Sequence, residues 1–426
     1  MHLKIRILAI CLVLAMILAM TTMAASKVTT ITYTRWAGTQ EEKDFTELIN
    51  KFMKANPDIQ VKCEFLPWGS YWEKLRTTIL GGTAADVISF SHLMSAPYVS
   101  REVLYEMSKL SGAKTLLNQM QEGTKAAVLV KGKIYGIPVG VGVRAMVYNK
   151  ALFDKAGVPY PDKSKPMTWD QFLQMASKLT VKDSSGKVVQ YATRLHVTEI
   201  WEAIVVQAGG KFLDDYTRPT KVTINTPEGI AGLQFLRTLV EKGIHPPWDL
   251  ITEWEGAFGS PDSAVATGKV AMMQTGPWSL GPLVQKGINF GTCPLFMGKK
   301  RATRGYVNFL SISRNCKNPQ AAWRLIKWMC GEGQIEFTKT GDLPANKKYL
   351  EQAQKENPYS YGGHEIMAAF FSELPYVITG PMVPTDDLGT MVDEVIQDLV
   401  GLKITAAEAA KRMEERGNEI IKNIEY

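Results

Sequence analysis

Residues 140–145 read Gly-Val-Gly-Val-Arg-Ala and fit G-x-G-x-x-[GA], the spacing with which a tight turn and a helix N-terminus hold a dinucleotide pyrophosphate. That chemistry needs a strand before the glycines and a helix after them. Here Pro138 precedes the pair, and residues 145–148 (Ala-Met-Val-Tyr) read as extended chain, so the context is wrong and no cofactor is expected. The glycines then serve either a crossing between two lobes or a bulge within one sheet. His364-Glu365 opens the zinc-protease pattern H-E-x-x-H, but Ala368 stands where the second ligand belongs. Ser279 is followed by Gly281, yet Pro277 occupies the first glycine position of G-x-S-x-G. Cys63, Cys293, Cys316 and Cys330 form no C-x-x-C pair, so no metal site is expected from them. A glycosidase needs two facing carboxylates, which the sequence neither names nor excludes.

The elements that position any site begin after the leader. Lys4 and Arg6 precede an apolar run over residues 7–20, shorter than the roughly 20 residues of a spanning helix, with small and polar residues following through Ala25. Residues 1–25 therefore read as a cleaved signal peptide. Cys11 sits too early and follows Ile10 rather than a small residue, which speaks against a lipid anchor and points to a periplasmic or secreted protein. The formal charge of +7 includes Lys4 and Arg6, and the remaining basic residues are interspersed with acidic ones. That is a solvated surface rather than a nucleic-acid stripe.

From residue 28 the chain alternates β-branched runs with amphipathic ones. Residues 28–34, 59–65 and 85–90 read as strands; a helix from Glu41 carries Phe45, Leu48, Ile49 and Phe52 on one face, and another spans 71–80. This alternation predicts an α/β fold with a parallel sheet. Thr168 with Gln171 and Thr405 with Glu408 fit the capping box, and Thr226-Pro227 and Asn318-Pro319 place a cap before a first-turn proline.

The stretch GKIYGIPVGVGVRAMVYNKALFDKAGVPYP, followed by MTWDQFLQMASKLT, resembles the central segment of carbohydrate-binding proteins of ABC importers, the maltose-binding-protein-like family. FTELINKFMKANPDIQVKCEF, YWEKLRTTILGGTAADVISF, GKVAMMQTGPWSLGPL, AAWRLIKWM and TGDLPAN agree in the same order. The resemblance implies a two-lobed periplasmic-binding-protein fold, each lobe a mostly parallel sheet flanked by helices. It places three hinge crossovers near 142–146, 307–311 and 343–350. The N-terminal lobe is then 26–142 with 308–346, and the C-terminal lobe 143–307 with 347–426.

A sugar offers flat C–H faces and a rim of hydroxyls, so its site needs aromatic platforms and fixed hydrogen-bond partners. Trp278, in Gly-Pro-Trp, is the leading platform, and the resemblance sets a cleft-lining Trp there. Trp36 follows the first strand at the end where open α/β sheets bind ligands, with core packing as the alternative. Trp68 follows a strand and faces the same opening, as do Ser91 and His92 after the third strand, where His92 either donates to a hydroxyl or serves structure. Asp86 is at the cleft or in a structural turn. Trp201 is a stacking residue of the second lobe or part of its core. Tyr306 lies beside the second crossover, and Asp386 either reaches the cleft or caps a helix. Leu93-Met94 stands where the family's maltose-binding member has an aspartate-arginine pair, which speaks against a maltose-like hydroxyl pattern.

The sequence thus points to a monomeric, non-enzymatic receptor that captures a carbohydrate between two lobes and presents it to the transmembrane permease subunits of an ABC importer, without nucleic acid. A receptor of the same fold for a polyamine, phosphoester or peptide is the alternative, and a secreted carbohydrate-active enzyme a more distant one.

Overall fold

A computed structural model describes residues 28–424 other than 100–102, 217, 259–262, 340, 360–362, 381–382 and 384. The signal peptide expected over 1–25 lies outside the described residues. The strands run β1 (Thr29–Trp36), β2 (Ile59–Leu66), β3 (Val87–Ser91), the hairpin β4 (Leu129–Val130) and β5 (Lys133–Ile134), β6 (Ile137–Val143), β7 (Ala145–Asn149), β8 (Val181–Lys182), β9 (Val188–Arg194), β10 (Val270–Thr275), β11 (Phe290–Cys293), β12 (Thr303–Ile312), β13 (Leu343–Pro344) and β14 (Val377–Ile378).

Apart from the β4–β5 hairpin, two sheets organise them. The first has the order β13-β6-β12-β3-β1-β2 with β14 paired to β12, and the second has the order β11-β7-β10-β9-β8. In the first, β1 pairs in parallel with β2 from Thr29 opposite Ile59 to Trp36 opposite Leu66. Ile31 and Tyr33 point inward because strand side chains alternate, and Phe45, Leu48, Ile49 and Phe52 of helix Thr39–Ala55 join the same core. The capping boxes at Thr168 and Thr405 form, Thr226 caps its helix through its side chain, and Asn318 makes no side-chain cap bond.

The sheets are mixed rather than mostly parallel. β12 runs antiparallel to β3 and β6, and β7 antiparallel to β10 and β11. The reason is topological: strands that carry the chain between lobes enter each sheet against the direction of its βαβ strands. Arg144 alone separates β6 of the first sheet from β7 of the second. The chain returns between β11 and β12. It leaves again after β13 and reaches helix His364–Glu373, which packs against β11 and β7. The second crossover thus precedes residues 307–311, which lie inside β12; Gly305 already pairs with Val143 and Tyr306 with Gly142. All ten residues of β12 are buried, so no change in burial along the strand marks where the chain enters the sheet. A register shift opposite Gly140 and Pro138 puts a bulge between β12 and β6.

Candidate ligand-binding cleft

A cavity of about 520 Å³ lies between the two sheets, at the C-terminal ends of β1 and β3. Trp36, the last residue of β1, and Trp68, the first of helix Trp68–Leu80, form one wall, with ring centroids 5.0 Å apart at 83°. Tyr71 and Trp72, each 5.5 Å from the Trp36 ring, hold it from behind. Trp68 is 45% exposed, a large apolar ring left facing the opening. Ser91, at the end of β3, and Leu93 complete this side.

Trp278 lines the cavity from the short turn Pro277–Ser279 after β10. Its ring folds back over Gly276 so closely that a Cβ there would lie 2.1 Å from it. The Arg144 guanidinium sits 5.5 Å from the Trp278 ring centroid and 5.3 Å from that of Tyr306, within cation–π range.

Two ionic groups finish the walls. Arg144 donates from Nε to the Tyr306 hydroxyl oxygen at 2.5 Å and from Nη2 to Glu199 Oε2, and the Tyr306 O–H donates to that same Oε2. Burial alone would raise the Glu199 carboxyl, but Arg144, with His196, Tyr306 and Arg304, holds it down at about 2. Burial drives the Tyr306 phenol up, against the pull of Arg144, so it stays a neutral donor. Across the cavity, Asp342 accepts from Asn308 Nδ2 at 2.8 Å and lies 3.9 Å from Arg35 Nη2. Arg35 is 2% exposed, and its guanidinium lies 4.1 Å from the Phe45 ring centroid and 4.8 Å from that of Trp36. Burial raises the carboxyls of Asp342 and of Glu41, whose Oε2 accepts from the Gly38 N–H at 2.8 Å. Each arginine of the cavity therefore faces a carboxylate, and Glu41 is engaged by its own helix start.

The profile of the bacterial extracellular solute-binding proteins matches residues 47–359. The chain belongs to that family. The maltotriose-binding protein of Pyrococcus abyssi is 23% identical over 400 residues, 89% of this chain and 79% of that protein. The galactooligosaccharide-binding protein of Bacillus subtilis is 22% identical over 317 residues, 73% of this chain and 72% of that one. An ABC substrate-binding protein of Listeria monocytogenes in complex with cycloalternan superposes with a TM-score of 0.79 at 24% identity, covering 92% of this chain and 99% of the other. That likeness is one of fold.

In this solute-binding protein, Trp36, Trp68, Ser91, Trp278 and Tyr306 line the one cavity, but the other residues singled out from sequence do not. Asp86 precedes β3, at the end of the strand away from Ser91. Its Oδ2 accepts from the Thr32 N–H at 2.8 Å and from Thr32 Oγ1 at 2.9 Å, which ties β1 to the entry of β3. His92 is turned inward: Nδ1 accepts from the Val307 N–H at 3.0 Å, so Nε2 donates to the Thr379 carbonyl at 2.6 Å. Burial pushes its pKa down to about 4, and the neutral ring staples β12 to the segment after β14. Trp201 is 5% exposed, edge-on to Phe212 at 4.9 Å within the second core, because the apolar turns of helix Val197–Ala208 pack inward on that side. Asp386 is exposed just ahead of helix Asp387–Val400, makes no side-chain cap bond and does not line the cavity.

Arg35, Glu41, Arg144, Glu199, Asn308 and Asp342 were not singled out. Arg144 falls inside the glycine pattern, and Arg35 adjoins Trp36, so both had a local signal. Glu199 and Asp342 come from separate elements and meet their partners only through topology.

Proposed function

We propose that this protein is an exported receptor that captures a neutral sugar or oligosaccharide between its lobes and delivers it to the permease subunits of an ABC importer. The observation that carries the reading is a single cavity walled by Trp36, Trp68 and Trp278, in which Arg144 is matched by Glu199 and Arg35 by Asp342. Aromatic faces suit the C–H faces of pyranose rings, and the paired polar atoms suit hydroxyls. A phosphoester needs an unopposed cation and a polyamine an unopposed carboxylate cluster; the pairing favours an uncharged ligand over both. The cavity volume of about 520 Å³ falls within the usual range for small-ligand sites. The naming of relatives in this family for maltotriose and galactooligosaccharide supports the same class.

Binding couples to closure because the walls come from both lobes. A ligand touching both has its full set of contacts only when they approach, so it shifts the open–closed equilibrium by its difference in affinity for the two. Moving a population from 1:99 to 99:1 takes a roughly 10⁴-fold preference. Closure would then report occupancy to the permease, with a leader over 1–25 directing export and a monomer as the acting form. The protein turns nothing over in this account. Titration calorimetry of the protein from about Ser26, with the sugar recovered and analysed afterwards, tests it: stoichiometric binding with intact sugar is expected, and cleaved sugar would point to an enzyme instead.

A further inference from the structure

Gly140 and Gly142 lie two residues apart on β6, so both present the same face of the strand, while Val139, Val141 and Val143 join the first core. Neither glycine has a positive φ. Their backbone is open to any residue, and what sets these positions apart is the space beside them: a side chain collides at Gly140 and is tight at Gly142. A Cβ on Gly140 would lie 2.7 Å from Asp342 Cβ and 2.8 Å from Asp342 Oδ2. A Cβ on Gly142 would lie 3.1 Å from Trp278 Cζ3 and 3.2 Å from Tyr306 Cδ2. The residues displaced in each case line the cavity.

We propose that Gly140 and Gly142 are positioning residues of the ligand cleft, two notches in β6 that seat the Asp342 carboxylate and the Trp278 ring. The Trp278 ring is then gripped from three sides, by Gly142, by the close approach over Gly276, and by the Arg144 guanidinium. Filling the Gly142 notch pushes the ring by a few tenths of an ångström and tilts the platform on which a sugar face would stack. Filling the Gly140 notch displaces the carboxylate that Asn308 holds and Arg35 faces. The glycine spacing is thus set by the two side chains it must admit. The effect on binding rests on the carbohydrate-receptor reading; the seating itself does not.

The test is a double-mutant cycle of Gly142→Ala and Trp278→Ala, read in two ways. In calorimetry against the tightest-binding neutral oligosaccharide, Gly142→Ala is expected to weaken binding about tenfold in the wild-type background, as overpacking does, and to cause a clearly smaller loss beside Trp278→Ala, where only the contact with Tyr306 remains. Equal losses in both backgrounds, or no loss in either, would overturn the seating role. The second reading needs no ligand: the near-UV circular dichroism contributed by Trp278, taken as the difference between each protein and its Trp278→Ala derivative, is expected to change with Gly142→Ala. An unchanged difference spectrum overturns the notch, even where the wild-type protein binds no sugar and the functional reading has failed separately. Should Gly142→Ala lower the melting temperature, the smaller ring of Trp278→Phe in the same chain is expected to restore part of it; a further drop counts against the notch.

Discussion

Truncating the Trp278 ring removes a cleft platform that both packs on the protein and faces the cavity, so binding and folding are read side by side. Trp278 is half-buried, on a turn, with one side packed on Gly142, Gly276 and Arg144 and the other lining the cavity. Aromatic side chains bury about 150–250 Å² when fully covered, and most of Trp278 is already covered by the protein, so a sugar stacked on the open side covers about 80 Å² at most. At about 25 cal/mol per Å² that is up to about 2 kcal/mol, or roughly 30-fold in Kd. Arg144 keeps Glu199 and Tyr306 when the ring goes, so no buried charge is stranded and the fold is expected to hold. Calorimetry of wild type and Trp278→Ala against the same oligosaccharide, with a thermal melt of each, reads both quantities. Affinity within twofold of wild type would refute the platform role.

Other variants behave differently for reasons visible in the same geometry. Trp201→Ala opens the second core and is expected to cost about 3–5 kcal/mol in denaturant unfolding, while the folded fraction keeps wild-type affinity. His92→Ala strands the Val307 N–H and the Thr379 carbonyl, a cost of about 2–4 kcal/mol read by urea melts. Because the folded His92 pKa, about 4, lies below its ordinary 6.5, the neutral staple contributes fully above pH 6.5 and fades as pH falls toward 4; the gap between wild type and His92→Ala should narrow over that window. Glu199, held at about 2 against an ordinary 4.5, contributes stability above pH 4.5 that is lost as pH falls toward 2. The stability of Glu199→Gln should therefore fall less steeply with acid between those values than that of wild type.

Much of the scaffold was legible because local physics repeats it. β-branched runs at the start of β1, the Phe45, Leu48, Ile49 and Phe52 spacing, and the cap residues Thr168 and Thr405 each carry their own signal in a few neighbouring residues. Trp36 and Trp68 were readable as cleft residues since each sits where a strand ends. Trp201 stands ahead of a continuous apolar run within a helix, and there packing decides the ring's place. His92 sits at a strand end like Ser91, yet its partners Val307 and Thr379 are distant in sequence, and nothing local shows the ring turning toward them. The same holds for the pairings of Arg144 with Glu199 and Arg35 with Asp342: tertiary topology makes these contacts, and no spacing announces them. The glycines of β6 were readable as a need, but what they make room for emerges only once Trp278 and Asp342 are folded against them.

Capture of a neutral sugar is decided by calorimetric titration of the protein from about Ser26 with neutral oligosaccharides, beside a polyamine, a phosphoester and a short peptide. Saturable one-to-one binding to a neutral sugar, recovered unchanged, is expected, with no heat from the charged solutes. Binding confined to a charged solute or peptide would contradict it.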